Sequence, residues 1–308
     1  MSMGAEQVAN AMTVLLATDA SDCAGVAVDL VRSIAWPQGS LICVATVLEH
    51  AALADVSAEA GHEAAEPSAP ALDGARAALD RAARSLDETG VRVETAVLTG
   101  RPGTAIVEKA AAIHADLVVV GSRGHGTIGS MVLGSVSAEV ADHAHCPVLV
   151  ARRHWWRRAL LAVDGSPFAL LAEQIVSRWP IFAALPIETA SVANTAMSWT
   201  SGLALSGYAG SIDYPMTVQE IVSEHEQYAA ESAERLTKSG RRAHGEILRG
   251  DPATELLRRA TDTSADVIVM GTHGRTGVRR MVAGSVARNV MLHASCSVLV
   301  VREARPLT

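Results

Sequence analysis

The second half of this chain repeats the first. At an offset of 150 residues, 14 of 30 positions are identical between residues 121–150 (GSRGHGTIGSMVLGSVSAEVADHAHCPVLV) and residues 271–300 (GTHGRTGVRRMVAGSVARNVMLHASCSVLV). Ordinary composition would give roughly two identities by chance. Nearer the start of each half the offset is 145, where VLLATDAS (14–21) matches ALLAVDGS (159–166). Such a repeat predicts two domains of one fold, residues 1–153 and 154–308.

Each copy alternates short apolar runs with segments of helical periodicity. Continuous apolar strands that alternate with helices predict an α/β fold, a five-stranded parallel doubly wound (Rossmann-like) sheet in each copy. The predicted strands are 13–18, 41–48, 91–98, 116–120 and 147–151 in the first copy, and 159–163, 187–193, 243–248, 266–270 and 297–301 in the second. The predicted helices of the first copy are 22–35, 71–89, 103–114 and 135–145.

A glycine-rich loop follows the fourth strand of each copy. In the first copy, Gly124, Gly126 and Gly129 spell GxGxxG, the pattern of dinucleotide-binding folds. The second copy has Thr276 and Arg279 opposite the last two glycines, so it does not reproduce this pattern. The loop also follows the fourth strand rather than the first, which argues against a dinucleotide fingerprint.

Both copies keep a different pattern, GxxG-x9-GS, between an apolar strand and a helix. It reads Gly121, Gly124, Gly134 and Ser135 in the first copy, and Gly271, Gly274, Gly284 and Ser285 in the second. Glycines allow a ligand to approach the main chain closely, and successive N–H groups there form an anion-binding nest. The glycine–serine pair then opens a helix, whose free N–H groups attract phosphate. The pattern therefore predicts a mononucleotide phosphate site.

The end of the first strand in each copy competes for the same place in the fold. Open parallel sheets bind ligands beyond the carboxyl ends of their strands, and Asp19 and Asp164 follow the first strand there. These aspartates could contact a ligand or cap the following helix, and the two roles are compatible.

Composition excludes several classes of partner. A net charge of -7 argues against general nucleic-acid or anionic-membrane binding, and the chain contains no apolar run of membrane-spanning length. The four cysteines form no CxxC pair and no metal-ligand spacing, so no metal site is expected. Free thiols and the absence of a basic secretory n-region favour the cytoplasm.

These motifs resemble the universal stress protein family in its tandem two-domain form. The similarity covers LLATDAS and LLAVDGS, the segments from 99 to 124 and from 249 to 274, and the GxxG-x9-GS pattern twice. The resemblance implies a five-stranded parallel sheet of order 3-2-1-4-5 in each copy. One branch of the family binds ATP through this pattern and another lacks the glycines, so the resemblance implies the ATP-binding branch.

On the base and ribose side, the resemblance implies three pairs of contacts with ATP. An aspartate after the first strand contacts the ribose or the phosphates, backbone groups of a valine in the second strand meet the adenine edge, and a glycine faces the ribose. In that order the pairs are Asp19 and Asp164, Val47 and Val192, and Gly121 and Gly271.

On the phosphate side, the resemblance implies contacts along the glycine loop and the start of the next helix. They are Gly124, Gly134, Ser135 and Val136 in the first copy, and Gly274, Gly284, Ser285 and Val286 in the second.

The implied function is ATP binding that governs a stress or dormancy response. Two alternatives stay open: a weak ATPase, in which an aspartate holds Mg²⁺ through the phosphates, and a partner-binding or chaperone-like scaffold indifferent to nucleotide. The lysine-bearing GxxxxGK[ST] loop of efficient ATPases is missing from the sequence. We expect the two domains to pair about a pseudo-twofold axis through the edge strands 147–151 and 297–302, with a homodimer as a further option.

Overall fold

The computed structural model describes residues 11–49, 68–87, 90–123, 133–194, 217–274 and 283–302. These residues divide into two compact units, the first reaching Trp156 and the second spanning Arg157–Arg302. Gly124 lies outside the described residues, as do Gly126, Gly129 and most of the connections 50–70 and 194–214.

The first unit contains five strands and four α-helices among its described residues. In chain order they are β1 (Thr13–Ala17), α1 (Asp22–Ser33), β2 (Leu41–Leu48), α2 (Ala69–Leu86), β3 (Arg92–Thr99), α3 (Pro102–Ala112), β4 (Leu117–Gly121), α4 (Ser135–His143) and β5 (Val148–Ala151). All paired strands are parallel, in the order β3-β2-β1-β4-β5. This order confirms the predicted 3-2-1-4-5 sheet.

The second unit repeats this arrangement. Its elements are β6 (Ala159–Ala162), α5 (Pro167–Arg178), a 3₁₀ turn (Pro180–Phe182), β7 (Pro186–Ala193), α6 (Val218–Lys238), β8 (Arg242–Arg249), α7 (Pro252–Asp262), β9 (Val267–Gly271), α8 (Ser285–His293) and β10 (Ser297–Val301). The strands run parallel in the order β8-β7-β6-β9-β10. The predicted α/β fold is therefore present twice.

The hydrophobicity of the strands explains their place in the sheet. In β4 all five residues are buried, as expected for a central strand covered by helices on both faces. The outer strand β3 instead has only exposed and partly buried positions and begins with Arg92. Charged residues suit an edge strand because they oppose pairing with another chain.

Sequence signals near the helix starts agree with the structure. Proline occupies the first position of α3 and of α7, where its missing N–H costs no intrahelical bond. Helix α6 begins with a capping box, in which Thr217 and Glu220 each bind the other's backbone N–H. Within the described part of the chain, no helix is both long and apolar enough to cross a membrane.

Candidate functional site

The turn after the first strand has the same build in both units. The Oδ1 atom of Asp19 accepts the N–H of Ser21 at 3.0 Å, and Asp164 accepts the N–H of Ser166 at 3.0 Å. The serines, not the aspartates, cap the following helices, since the Ser166 Oγ atom accepts the N–H of Ala169 at 3.2 Å. The sequence alternative in which the aspartates are the caps is therefore wrong. They shape the turn that precedes the cap, a role that short polar side chains commonly fill.

The glycine at the end of the fourth strand packs against the first turn of a helix. A Cβ atom on Gly121 would lie 2.8 Å from the Cys23 carbonyl oxygen of α1. A Cβ atom on Gly271 would lie 2.6 Å from the Cβ atom of Phe168 in α5. Glycine is needed at both positions because the main chain of the strand end lies directly against the start of the helix. A side chain would have no room there. The predicted contact of these glycines with the ribose stays a prediction.

In the second unit the two competing segments meet. A Cβ atom on Gly274 would lie 2.8 Å from the Oδ2 atom of Asp164, so the carboxylate lies directly against the glycine loop. The hydroxyl of Ser166 also donates to the carbonyl of His273, at 3.4 Å. The turn after β6 and the loop after β9 thus form one site rather than two alternatives.

The glycine–serine pair places the start of a helix beside the end of the fourth strand. The N–H of Gly134 donates to the Ser122 carbonyl at 2.9 Å, and that of Gly284 donates to the Thr272 carbonyl at 2.7 Å. In the first unit the buried Ser137 hydroxyl adds a bond of 2.6 Å to the Gly121 carbonyl. These bonds fix where each helix begins relative to the strand.

The first turns of α4 and α8 have the properties of an anion site. Gly134 and Gly284 are the N-cap residues, and neither helix start receives a side-chain capping bond among the described residues. Ser135 and Ser285, the first helical residues, are exposed, while Val136 and Val286 are half-buried behind them. Uncapped N–H groups and the positive end of the helix dipole favour a negatively charged group.

The predicted adenine contacts lie on the second strand of each unit. Val47 in β2 pairs with Leu98, and Val192 in β7 pairs with Leu248, one residue before the end of each strand. Both valines therefore lie at the same edge of the sheet as the aspartate turns. Their predicted contacts are made by backbone groups, so the residue type alone could not identify them.

Sequence reasoning missed a polar and aromatic group on α6 of the second unit. The Tyr228 hydroxyl donates to Glu224 at 2.5 Å, and the Tyr228 ring meets His225 edge to face, with centroids 5.7 Å apart. His225 Nδ1 lies 2.8 Å from the hydroxyl of Ser191 in β7. A comparison of α6 with α2 at an offset of 150 could have revealed this group, because the first copy has small residues at the corresponding helix positions.

A comparison with known families decides which family the chain belongs to. The sequence model of the universal stress protein family matches residues 11–152 and again residues 156–302. The chain belongs to the universal stress protein family. The two matches correspond to its two structural units, so the protein is a tandem member.

Individual relatives agree with this assignment. A universal stress protein of Mycolicibacterium smegmatis is 30% identical over 246 residues, which cover 75% of this chain and 77% of that protein. One from Methanocaldococcus jannaschii is 39% identical over 89 residues, covering 29% of this chain and about half (52%) of that protein. The crystal structure of a universal stress protein from Archaeoglobus fulgidus DSM 4304 has the same fold, with a TM-score of 0.66 at 19% identity, covering 94% of this chain and 98% of that one.

Among the residues that the structure describes, no group of three or more His, Cys, Asp or Glu side chains is arranged to hold a metal ion. The four cysteines are free thiols, and three of them are buried, as is common for cysteines that pack like small apolar side chains.

Proposed function

We propose that this universal stress protein is an ATP-binding regulator of a stress response. The observation that carries the proposal is the start of α4 and α8, where an exposed serine and uncapped N–H groups stand beside the end of the fourth strand. The same build occurs in both units. A helix start of this kind binds phosphate through its N–H groups and dipole.

The residues around these helix starts fit a nucleoside triphosphate. In the second unit, a side chain at position 274 would clash with the Asp164 carboxylate, so only glycine fits there. The main chain, rather than side chains, would therefore face the phosphates. The half-exposed Asp164 carboxylate can accept ribose hydroxyl groups, whereas phosphates would be repelled by it unless a cation intervened. Any Mg²⁺ would therefore arrive with the phosphates, which is how this ion is usually bound.

Two double variants test the proposal, because their new side chains have the same size and differ in charge. Ser135→Asp together with Ser285→Asp places a carboxylate at each helix start, where it favours the helix but repels phosphate. We expect the ATP affinity of this variant to fall by about tenfold or more in calorimetry. Ser135→Asn with Ser285→Asn adds no charge and should bind ATP within about threefold of the wild type.

The outcome separates binding from folding because both variants should melt at or above the wild-type temperature. Equal ATP affinity in the aspartate and asparagine variants would contradict the proposed phosphate site. Failure of the wild type to bind ATP at millimolar concentration would contradict the proposed function itself and would favour the nucleotide-independent scaffold.

The setting of this function is also proposed. Four free thiols fit a reducing cytoplasm. The pseudo-twofold pairing of the units and a homodimer stay predictions, which light scattering can check for the oligomer. Binding without turnover is the proposed mode of regulation, since a bound nucleotide stabilises one state of a protein by mass action.

A further inference from the structure

The two units differ at the turn that follows the first strand. In the second unit, the Tyr228 ring packs against the exposed Gly165: a Cβ atom on this glycine would lie 2.5 Å from the tyrosine Cζ atom. The ring is held in place by the bond of 2.5 Å from its hydroxyl to Glu224. Gly165 directly follows Asp164, so the ring lies beside the predicted ribose contact.

His225 connects the Tyr228 ring to β7, the second strand of this unit. Its ring stands at 85° to that of Tyr228, and its Nδ1 atom lies 2.8 Å from Ser191, which is fully buried in β7. Ser191 directly precedes Val192, the residue predicted to meet the adenine edge. The two rings therefore reach from the turn after β6 to the last three residues of β7, where the resemblance predicts the adenine contact.

The first unit has small residues at the corresponding helix positions. Helices α2 and α6 align at an offset of 150, at which the fully buried Leu86 and Leu236 correspond. At this offset Tyr228 and His225 correspond to Ala78 and Ala75.

The turns differ in a matching way. Ala20 of the first unit has a φ of 62°, close to the 73° of Gly165, so the two turns share one backbone conformation. The first unit thus carries a Cβ atom where the second unit packs a tyrosine ring. The glycine and the tyrosine form a matched pair, because a Cβ atom and the ring cannot occupy the same space.

We propose that the second unit excludes the adenine base with its own side chains, Tyr228 and His225, so that one chain binds one ATP, in its first unit. This inference rests on the proposed function. The second unit keeps the phosphate-binding helix start, but its base pocket opens only when the Tyr228 ring leaves Gly165. A pocket that is open in a small fraction of molecules binds with an affinity reduced by that fraction.

Two independent substitutions should open the second unit. Tyr228→Ala installs the residue of the first unit, and Gly165→Ala displaces the ring without changing α6. The left-handed turn tolerates alanine, as Ala20 shows. The control is Gln227→Ala, because this exposed neighbour on α6 bonds Glu231 rather than the site.

The experiment is calorimetric titration with ATP, made in the wild type and in the Ser135→Asp background that disables the first unit. We expect one ATP per wild-type chain and at least about tenfold weaker binding in Ser135→Asp. Adding Tyr228→Ala or Gly165→Ala to that background should restore ATP binding by about tenfold or more, whereas Gln227→Ala should not.

The possible outcomes separate the two proposals. Two ATP molecules per wild-type chain with similar affinity would overturn the inference and leave the proposed function standing. Loss of binding in Ser285→Asp rather than in Ser135→Asp would also overturn it. Absence of ATP binding in every variant would overturn the proposed function, and the inference with it.

Discussion

At the scale of single residues, the glycines of the repeated motif serve two purposes. Gly121 and Gly271 permit close packing of a strand end on a helix, whereas Gly274 lies against the Asp164 carboxylate, which leaves no room there for a side chain. The sequence pattern suggests one ligand-binding role for all of them, because a motif shows where glycine recurs and not which neighbour requires it. Packing against the chain itself is thus part of the reason for the motif.

The packing role of Gly121 can be tested directly. In Gly121→Ala the new methyl group meets the Cys23 carbonyl, so we expect the free energy of unfolding to fall by about 1–3 kcal/mol. Urea unfolding followed by circular dichroism measures this loss. Gly25→Ala is the matched control, since its methyl group meets nothing within 4 Å on an exposed face of α1. It should raise the stability by about 0.5–1 kcal/mol. Equal effects of the two substitutions would contradict the packing account.

At the scale of elements, a partly buried ion pair joins β7 to α7. The Arg259 Nε atom donates to the Glu188 Oε1 atom at 2.5 Å, and the two side chains are only 25% and 6% exposed. The bond to this carboxylate raises the pKa of Arg259. The first unit has Lys109 and Cys43 at these positions, where burial raises the pKa of the Cys43 thiol. The duplicated fold therefore tolerates two different solutions at one contact between strand and helix.

Breaking this pair on one side should cost more than replacing both partners. Arg259→Met leaves a buried carboxylate and should lower the free energy of unfolding by about 3 kcal/mol. The double variant Glu188→Met with Arg259→Met removes that carboxylate as well and should recover most of the loss. Denaturant unfolding of these two variants, of Glu188→Met alone and of the wild type forms a double-mutant cycle. This account would be contradicted if the double variant lost as much free energy of unfolding as the two single variants lose together.

The capping box of α6 predicts a pH dependence. Hydrogen bonds from the Thr217 backbone and hydroxyl lower the pKa of Glu220 in the folded chain. A lowered pKa gives stability that is present above the unfolded value near 4.5 and is lost as the pH falls through the folded value. Glu220→Ala should therefore melt at a lower temperature than the wild type at pH 7, and the difference should shrink at pH 3.5. A difference that stays constant between these pH values would contradict the cap.

The elements themselves were largely predictable. The repeat and the apolar strands give the correct element order, and the resemblance gives the strand order, although helices end earlier than expected: α1 ends at Ser33 rather than at residue 35. Polar contacts were harder to predict, because the identity of a helix cap depends on the local turn. For that reason the sequence left the aspartates as candidate helix caps, whereas in the structure Ser21 and Ser166 cap the helices. The Tyr228 contact was missed because it joins residues 63 positions apart (228 − 165), with no local signal.

At the scale of the whole molecule, duplication supplies two copies of one helix start, the proposed phosphate site, within a single chain. The copies kept the glycines at the strand end and the helix start, and they diverged on α2 and α6, which carry Ala78 and Tyr228 at corresponding positions. Under the proposal made above, this divergence gives the two units different nucleotide-binding properties. The helix start is the shared part, and it carries the central claim that this universal stress protein binds ATP.

Native mass spectrometry tests that claim most directly. ATP is added to the purified chain in steps, from one equivalent up to a millimolar concentration. Bound nucleotide then appears as a mass added to the intact protein. The account predicts an adduct of one ATP per chain that is absent in the Ser135→Asp, Ser285→Asp variant. A wild-type spectrum that shows no ATP adduct at millimolar concentration would contradict it.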